Sequence, residues 1–204
     1  MSQHLLELHR FVLSEIRGLV RERVLDVGCG RGVWGYLIRE ACDSICIVGI
    51  DTYKPHLNFC KRHRVYDDVI LADVRSLPIK NDSFDVALCC EVIEHLTKNE
   101  GLKLLNEIER IGKKIIITTP NGYRPTGKIA VELETHRSGW NPSYFKTRGY
   151  RVKGVGFRNL KDAEASSFWW VWGFLFYFFT PIAYVFPWIS GWLIAVKRQE
   201  SKKV

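Results

Sequence analysis

The sequence predicts an α/β fold in which helices cover both faces of a largely parallel sheet, and three observations carry that expectation. Short apolar runs alternate with stretches of helical spacing along much of the chain. The first of these runs, Val24-Leu25-Asp26-Val27, opens directly into the glycine-rich turn Gly28-Cys29-Gly30-Arg31-Gly32. Successive runs also end on an acid, at Asp26, Asp51, Asp73 and Glu91. In open sheets of this kind ligands bind at the carboxyl ends of the strands, where such acids converge.

Residues 3–17 place Leu5, Leu8, Val12 and Ile16 at helical spacing, so a helix within residues 1–20 is expected to pack on or over the domain. Strands are expected at 24–27, 45–50, 67–71, 84–90, 113–119 and around 150–155, with helices at 32–41, 54–62 and 99–110. Glycine suits the first turn because a backbone without Cβ adopts positive φ and lets a ligand approach the main chain. The spacing is not that of a dinucleotide fingerprint, which needs a glycine at the position of Val33, and this disfavours a nicotinamide enzyme. Asp26 would repel a pyrophosphate. It suits a ligand carrying an ammonium group, such as the methionine end of S-adenosylmethionine. Asp51, about twenty residues beyond the glycines, can accept both ribose hydroxyls. Asp73 stands where an adenine amino group needs an acceptor.

With VLDVGCGRG at 24–32, GID at 49–51, AD at 72–73, FDVALCCEVIEHL at 84–96 and IIITTPNG at 115–122, the chain resembles the class I S-adenosylmethionine-dependent methyltransferases. Within them it is most similar to the small-molecule branch known as type 11. The resemblance covers roughly residues 20–160. It implies a Rossmann-like, seven-stranded, mostly parallel sheet whose last strand, around 191–197, lies antiparallel at the edge. It implies S-adenosylmethionine as cofactor, held by Asp26, Gly28, Cys29, Gly30, Asp51, Thr52, Asp73, Val74 and Glu91. It also implies that the segment after the fifth strand helps build the acceptor pocket, which makes Tyr123, His136 and Trp140 candidates there. His95, His136 and Tyr123 are the weak candidates for a direct chemical role, and no catalytic residue is assigned among them. Methyl transfer needs no metal, and no clustered His/Cys ligand set is visible, so none is expected.

A chain of 204 residues suits a single domain with a proper core. Its six cysteines have no metal or C-x-x-C spacing and read as small buried hydrophobes in a reducing cytoplasm. The first residues do not look like a secretory signal. The net charge is +8. Seven basic residues and no acid fall between Arg137 and Lys161, a block that could face phosphate, an anionic substrate or acidic lipid.

From Ala165 to Val196 no residue is charged. Five of the seven tryptophans lie in that stretch, which exceeds what a small domain can bury. Two crossings of a bilayer would need about 40 apolar residues, so a shallow hairpin is expected instead, an insertion at 165–190 before the last strand. It would be broken near Thr180-Pro181 and would touch the cytoplasmic face of a membrane through 166–189. Basic flanks put both ends on that side. A hydrophobic flap over the pocket and a single span are the alternatives. The expected partner is a small, hydrophobic or lipid-like acceptor. The rivals are an RNA or protein methyltransferase and a non-catalytic membrane-associated S-adenosylmethionine-binding protein. Nucleic acid is disfavoured because Cys90-Glu91-Val92-Ile93 stands where amino-methylating enzymes carry Asn/Asp-Pro-Pro-Tyr/Phe. Oligomeric state is left open.

Overall fold

Val24, Leu25 and Val27 are entirely withdrawn from solvent. An apolar run buried on both faces belongs in the middle of a parallel sheet. The computed structural model, which describes residues 3–17, 21–42, 44–125, 135–157 and 181–199, places them there. The strands are β1 (Arg23–Val27), β2 (Cys46–Asp51), β3 (Asp68–Leu71), β4 (Phe84–Cys90), β5 (Gly112–Pro120), β6 (Arg151–Phe157) and β7 (Ser190–Arg198). They form one seven-stranded sheet in the order β3-β2-β1-β4-β5-β7-β6. The first five run parallel to one another.

β7 is antiparallel, as expected, but it is not the edge. It pairs with β5 from Lys114↔Arg198 to Pro120↔Trp192 and with β6 from Arg151↔Val196 to Phe157↔Ser190. The reason is legible in the side chains. Leu193, Ile194, Ala195 and Val196 are all buried, whereas β6 carries the exposed Arg151 and the part-exposed Lys153, residues suited to an unpaired edge.

Alternation along β1 sends Leu25 and Val27 to one core and Val24 to the other. The first core is covered by α4 (Lys98–Ile111), which buries Leu104, Leu105, Ile108 and Ile111 and starts with a reciprocal capping box between Thr97 and Glu100. The second is covered by α1 (Gln3–Ile16) and α2 (Val33–Ala41), where Leu8, Val12, Ile16, Trp34 and Ile38 meet. The N-terminal helix therefore packs on the domain. α3 (Lys54–Arg62) follows β2, and α5 (Pro142–Lys146) precedes β6.

Three sequence expectations need correction. Trp140 does not line a pocket: it is fully buried in the first core, its indole N–H donating to the Ser138 hydroxyl at 2.9 Å. A Cβ on Gly101 of α4 would overlap its ring, and the Lys98 ammonium lies 3.5 Å from the ring centroid. An indole is the largest apolar body available to fill the gap left by a glycine, which is why core packing claims it. Cys46 is exposed at the start of β2, whereas the other five cysteines are buried and all six are free thiols. The basic block is partly neutralised inside the fold. Arg148 makes a forked pair with Glu109, and Arg151 pairs with Glu15 at 2.7 Å.

Of the apolar segment, residues 166–180 lie outside the described residues. The rest forms one helical turn at 181–185 and a 3-10 turn at Pro187–Ile189. Among the described residues no helix is long and apolar enough to cross a membrane. Ile182, Val185, Phe186, Trp188 and Ile189 are nevertheless exposed.

Trp140→Ala is expected to lower stability by about 3–5 kcal/mol, because the core around Gly101 cannot collapse onto the void. Urea unfolding followed by circular dichroism checks it, and a loss below about 1 kcal/mol would contradict the wedge role.

Candidate functional site

In this strand order the chain leaves β1 through β2 and β3 to one side and returns through β4 and β5 to the other. The crevice at the carboxyl ends of β1 and β4 is the switch point where such sheets bind ligands. The glycine-rich loop is pinned there by two backbone bonds of 2.8 Å, from the N–H groups of Gly28 and Cys29 to the Ile50 carbonyl. Gly28 has φ +75°, and a Cβ there would run into Val92, so only glycine fits. Gly30 has nothing within 4 Å on its Cβ side, which leaves that face of the loop open.

Asp26 lies at the bottom of this crevice and is 1% exposed. Its Oδ2 accepts a 2.6 Å hydrogen bond from the Tyr66 hydroxyl, and Oδ1 has no partner among the described residues. Burial raises its pKa to about 7, the Tyr66 bond holding it down and the nearby Asp51 adding to the rise. The same tyrosine oxygen accepts from the Gly35 N–H at 3.3 Å, tying the acid to α2. Sequence reasoning missed Tyr66. It sits in the turn between α3 and β3, forty residues from its partner, with no motif around it.

Asp51 closes the far side of the loop, its Oδ2 accepting from the Gly30 N–H at 2.8 Å and its Oδ1 from the Tyr53 N–H at 2.7 Å. Thr52 beside it is exposed. Asp73 follows β3, but its carboxylate is gripped by Arg75, whose Nε donates to both oxygens, and Arg75 also pairs with Glu100. That bond holds the Asp73 carboxyl below its usual range. Val74 and Cys29 are buried, and burial pushes the Cys29 thiol far up, so it stays protonated. Glu91, just after β4, adopts φ +56°, a conformation that non-glycine residues rarely take. Thr118 and the Trp192 indole hold its two carboxylate oxygens at 3.0 and 3.1 Å.

Beyond Glu91 the fold brings His95 and His136 together, with ring centroids 5.0 Å apart. The cause is a backbone clamp: the Glu94 carbonyl accepts from the N–H groups of Arg137 and Ser138 at 2.8 and 3.1 Å. Glu94 itself is 2% exposed, its Oε2 accepting from the Thr119 hydroxyl at 3.0 Å. Tyr123, by contrast, is 60% exposed. Glu94 lay within the EVIEHL motif but was not singled out. Its burial beside a histidine 42 positions away has no sequence signature.

Residues 24–114 match the family model for a methyltransferase domain. The chain is 37% identical over 101 residues to an uncharacterized protein of Methanocaldococcus jannaschii, covering 48% of this chain and 40% of that one. It is 26% identical over 161 residues to the ubiquinone biosynthesis O-methyltransferase of Idiomarina loihiensis, covering 76% and 65%. The chain thus spans less than two thirds of the length of these relatives. A SAM-dependent methyltransferase from Archaeoglobus fulgidus has the same fold, with a TM-score of 0.63 at 19% identity over 97% of this chain and 95% of that one.

Asp26 makes a pH prediction. Its pKa is about 7 in the folded chain against an ordinary 3.8. The folded state therefore holds the proton over a range where the unfolded state has lost it, and stability falls as pH rises from about 4 to 7, levelling above. The loss is bounded at on the order of 4 kcal/mol. Asp26→Asn keeps an acceptor for Tyr66 and is expected to flatten that slope. Thermal melts of both proteins from pH 4.5 to 8.5 check it, and parallel curves would contradict it.

Proposed function

We propose that the chain, whose residues 24–114 match a methyltransferase-domain model, is a class I methyltransferase that transfers the methyl group of S-adenosylmethionine to a hydroxyl of a small, hydrophobic or lipid-like acceptor. The observation that carries this reading is the buried Oδ1 of Asp26, a bare carboxylate oxygen at the switch point. A buried acid that lacks a partner is costly in the folded chain and becomes favourable when an ammonium reaches it. The methionine end of the cofactor has that ammonium, and the open face at Gly30 gives it a path along the loop. Asp51 keeps lone pairs for ribose hydroxyls beyond its two backbone bonds, and Asp73, both of whose oxygens take bonds from Arg75, would offer the adenine amino group a lone pair that Arg75 leaves over. The bound cofactor supplies an electrophilic methyl on a sulfonium. The protein's part is to hold an acceptor oxygen in line at about 3 Å and to exclude water, which supplies about 7–11 kcal/mol of the barrier.

The acceptor class is inferred from what borders the crevice. At the end of β5, the Asn121 side-chain amide donates to the carbonyls of Pro187 and Ser190, each at 2.9 Å. This holds the exposed Phe186, Trp188 and Ile189 beside the strand ends. Lys146 lies 3.9 Å from the Trp188 ring centroid and Lys153 4.2 Å from that of Tyr184, so the apolar surface has a cationic rim. An apolar face rimmed by cations suits contact with the cytoplasmic face of an anionic bilayer. The surface continues in sequence into the uncharged residues 166–180. The name of the Idiomarina relative, an O-methyltransferase of ubiquinone biosynthesis, is consistent with a lipophilic hydroxyl acceptor.

Incubation of the protein with isotopically labelled methyl donor and membrane extracts is expected to label an organic-soluble small molecule, detected by mass spectrometry. Asp51→Ala is expected to weaken donor binding at least tenfold by calorimetry. Absence of any binding heat from the unsubstituted protein at millimolar donor would overturn the proposal. For the membrane part, replacing Phe186, Trp188 and Ile189 together by serine is expected to reduce co-sedimentation with anionic vesicles. Unchanged co-sedimentation would remove that part alone.

A further inference from the structure

Tyr66 is buried in the turn between α3 and β3, and glycines from three segments make room for its ring. A Cβ on Gly35 of α2 would lie 2.5 Å from the ring, one on Gly49 of β2 3.1 Å, and one on Gly32 of the loop 3.3 Å. Side chains there would crowd the ring out of its slot, so the glycines fix where the hydroxyl stands. That hydroxyl accepts from the Gly35 N–H at 3.3 Å and donates to Oδ2 of Asp26 at 2.6 Å. The Gly35 N–H lies in the first turn of α2, where no carbonyl of the helix can take it. A hydroxyl polarised by such a donor gives its own hydrogen bond more strongly. With Oδ2 taken in this way, Oδ1 is the oxygen left without a partner among the described residues.

We propose that Tyr66 is a positioning residue for the methyl donor, its hydroxyl holding Asp26 as a carboxylate whose Oδ1 receives the donor's ammonium. This role rests on the methyltransferase reading above. It is exerted through the acid, without contact between Tyr66 and the donor. A buried carboxyl takes up a proton unless a hydrogen-bond donor or a cation stabilises its charge, and a protonated acid attracts an ammonium poorly. The groups facing Asp26 divide sharply on this point. Asp51 at the end of β2 opposes the charge, and only the Tyr66 bond favours it. Cys29 of the loop, Cys60 of α3, and Cys89 and Cys90 of β4 are thiols that burial pushes up, so they stay neutral. The balance leaves the Asp26 pKa at about 7, where the carboxylate is available at neutral pH.

The test is the pH profile of S-adenosylmethionine affinity, measured by calorimetry from pH 5.5 to 8.5 on the full chain and on Tyr66→Phe, Asp26→Asn and the double variant. In the unsubstituted protein affinity is expected to rise near pH 7 as Asp26 loses its proton. It declines above about pH 8, where the donor's own amino group deprotonates. Tyr66→Phe keeps a ring against the three glycines and removes the bond that holds the Asp26 pKa down. Its rising limb is expected to move up by about one pH unit, which weakens binding at pH 7 about fivefold. In Asp26→Asn the limb is expected to vanish, and adding Tyr66→Phe then changes affinity by less than about twofold. A limb that stays at the same pH in Tyr66→Phe overturns the role, whether affinity falls evenly or not at all. A Tyr66→Phe chain that does not fold by circular dichroism overturns it too, since the hydroxyl then serves the fold. Donor binding with no rising limb removes the role of Tyr66 and leaves the methyltransferase reading intact. Absence of binding heat from the unsubstituted chain removes that reading itself, and the role of Tyr66 with it.

Discussion

A carboxylate buried at the end of the central strand is the constraint on which the site depends. Asp26 cannot reach water, and its one hydrogen bond from Tyr66 satisfies half of it. The fold holds this unfavourable group through a set of bonds around it. The glycine-rich loop is fixed to β2 by paired backbone bonds, and Asp51 is fixed in turn to that loop and to the Tyr53 N–H. Fixed placement of an acid with an unsatisfied oxygen is how a protein prepares for an oppositely charged ligand without rearranging to meet it.

The second half of the crevice is organised around β4 and β5. Just past β4, Glu91 takes a backbone conformation unfavourable for a side chain, and Thr118 and Trp192 hold it there. Three residues on, Glu94 is buried and its carbonyl draws in the segment that carries His136. Two acids on one short segment thus have different partners. The hold on Glu91 depends on β7 running beside β5, because Trp192 belongs to that strand.

Charge and apolar surface are also coupled. The basic residues that look like a field source in sequence are divided by the fold. Arg148 and Arg151 are absorbed by Glu109 and Glu15, which Lys197 and Lys114 share, so these cations brace the sheet. Lys146 and Lys153 instead face the rings of Trp188 and Tyr184 at the rim of the exposed apolar surface. In both, the ammonium itself lies over the ring face, a cation–π contact that keeps these two lysines at the rim.

The sequence alone determined the strand and helix periods, the parallel character of the first five strands and the placement of Asp26, Asp51 and Glu91 at strand ends. All of these follow from local rules: apolar runs of strand length, glycine where φ is positive, and acids at fixed distances along the chain. The position of β7 was not legible, because antiparallel pairing on one side or on both reads the same in a buried run. Trp140 was misread because an indole in a polar loop looks like a pocket residue until Gly101 is seen beneath it. Tyr66, Glu94 and the meeting of His95 with His136 were decided by the tertiary structure alone. Their partners lie 25 to 41 residues away, and only folding converts that separation into contact.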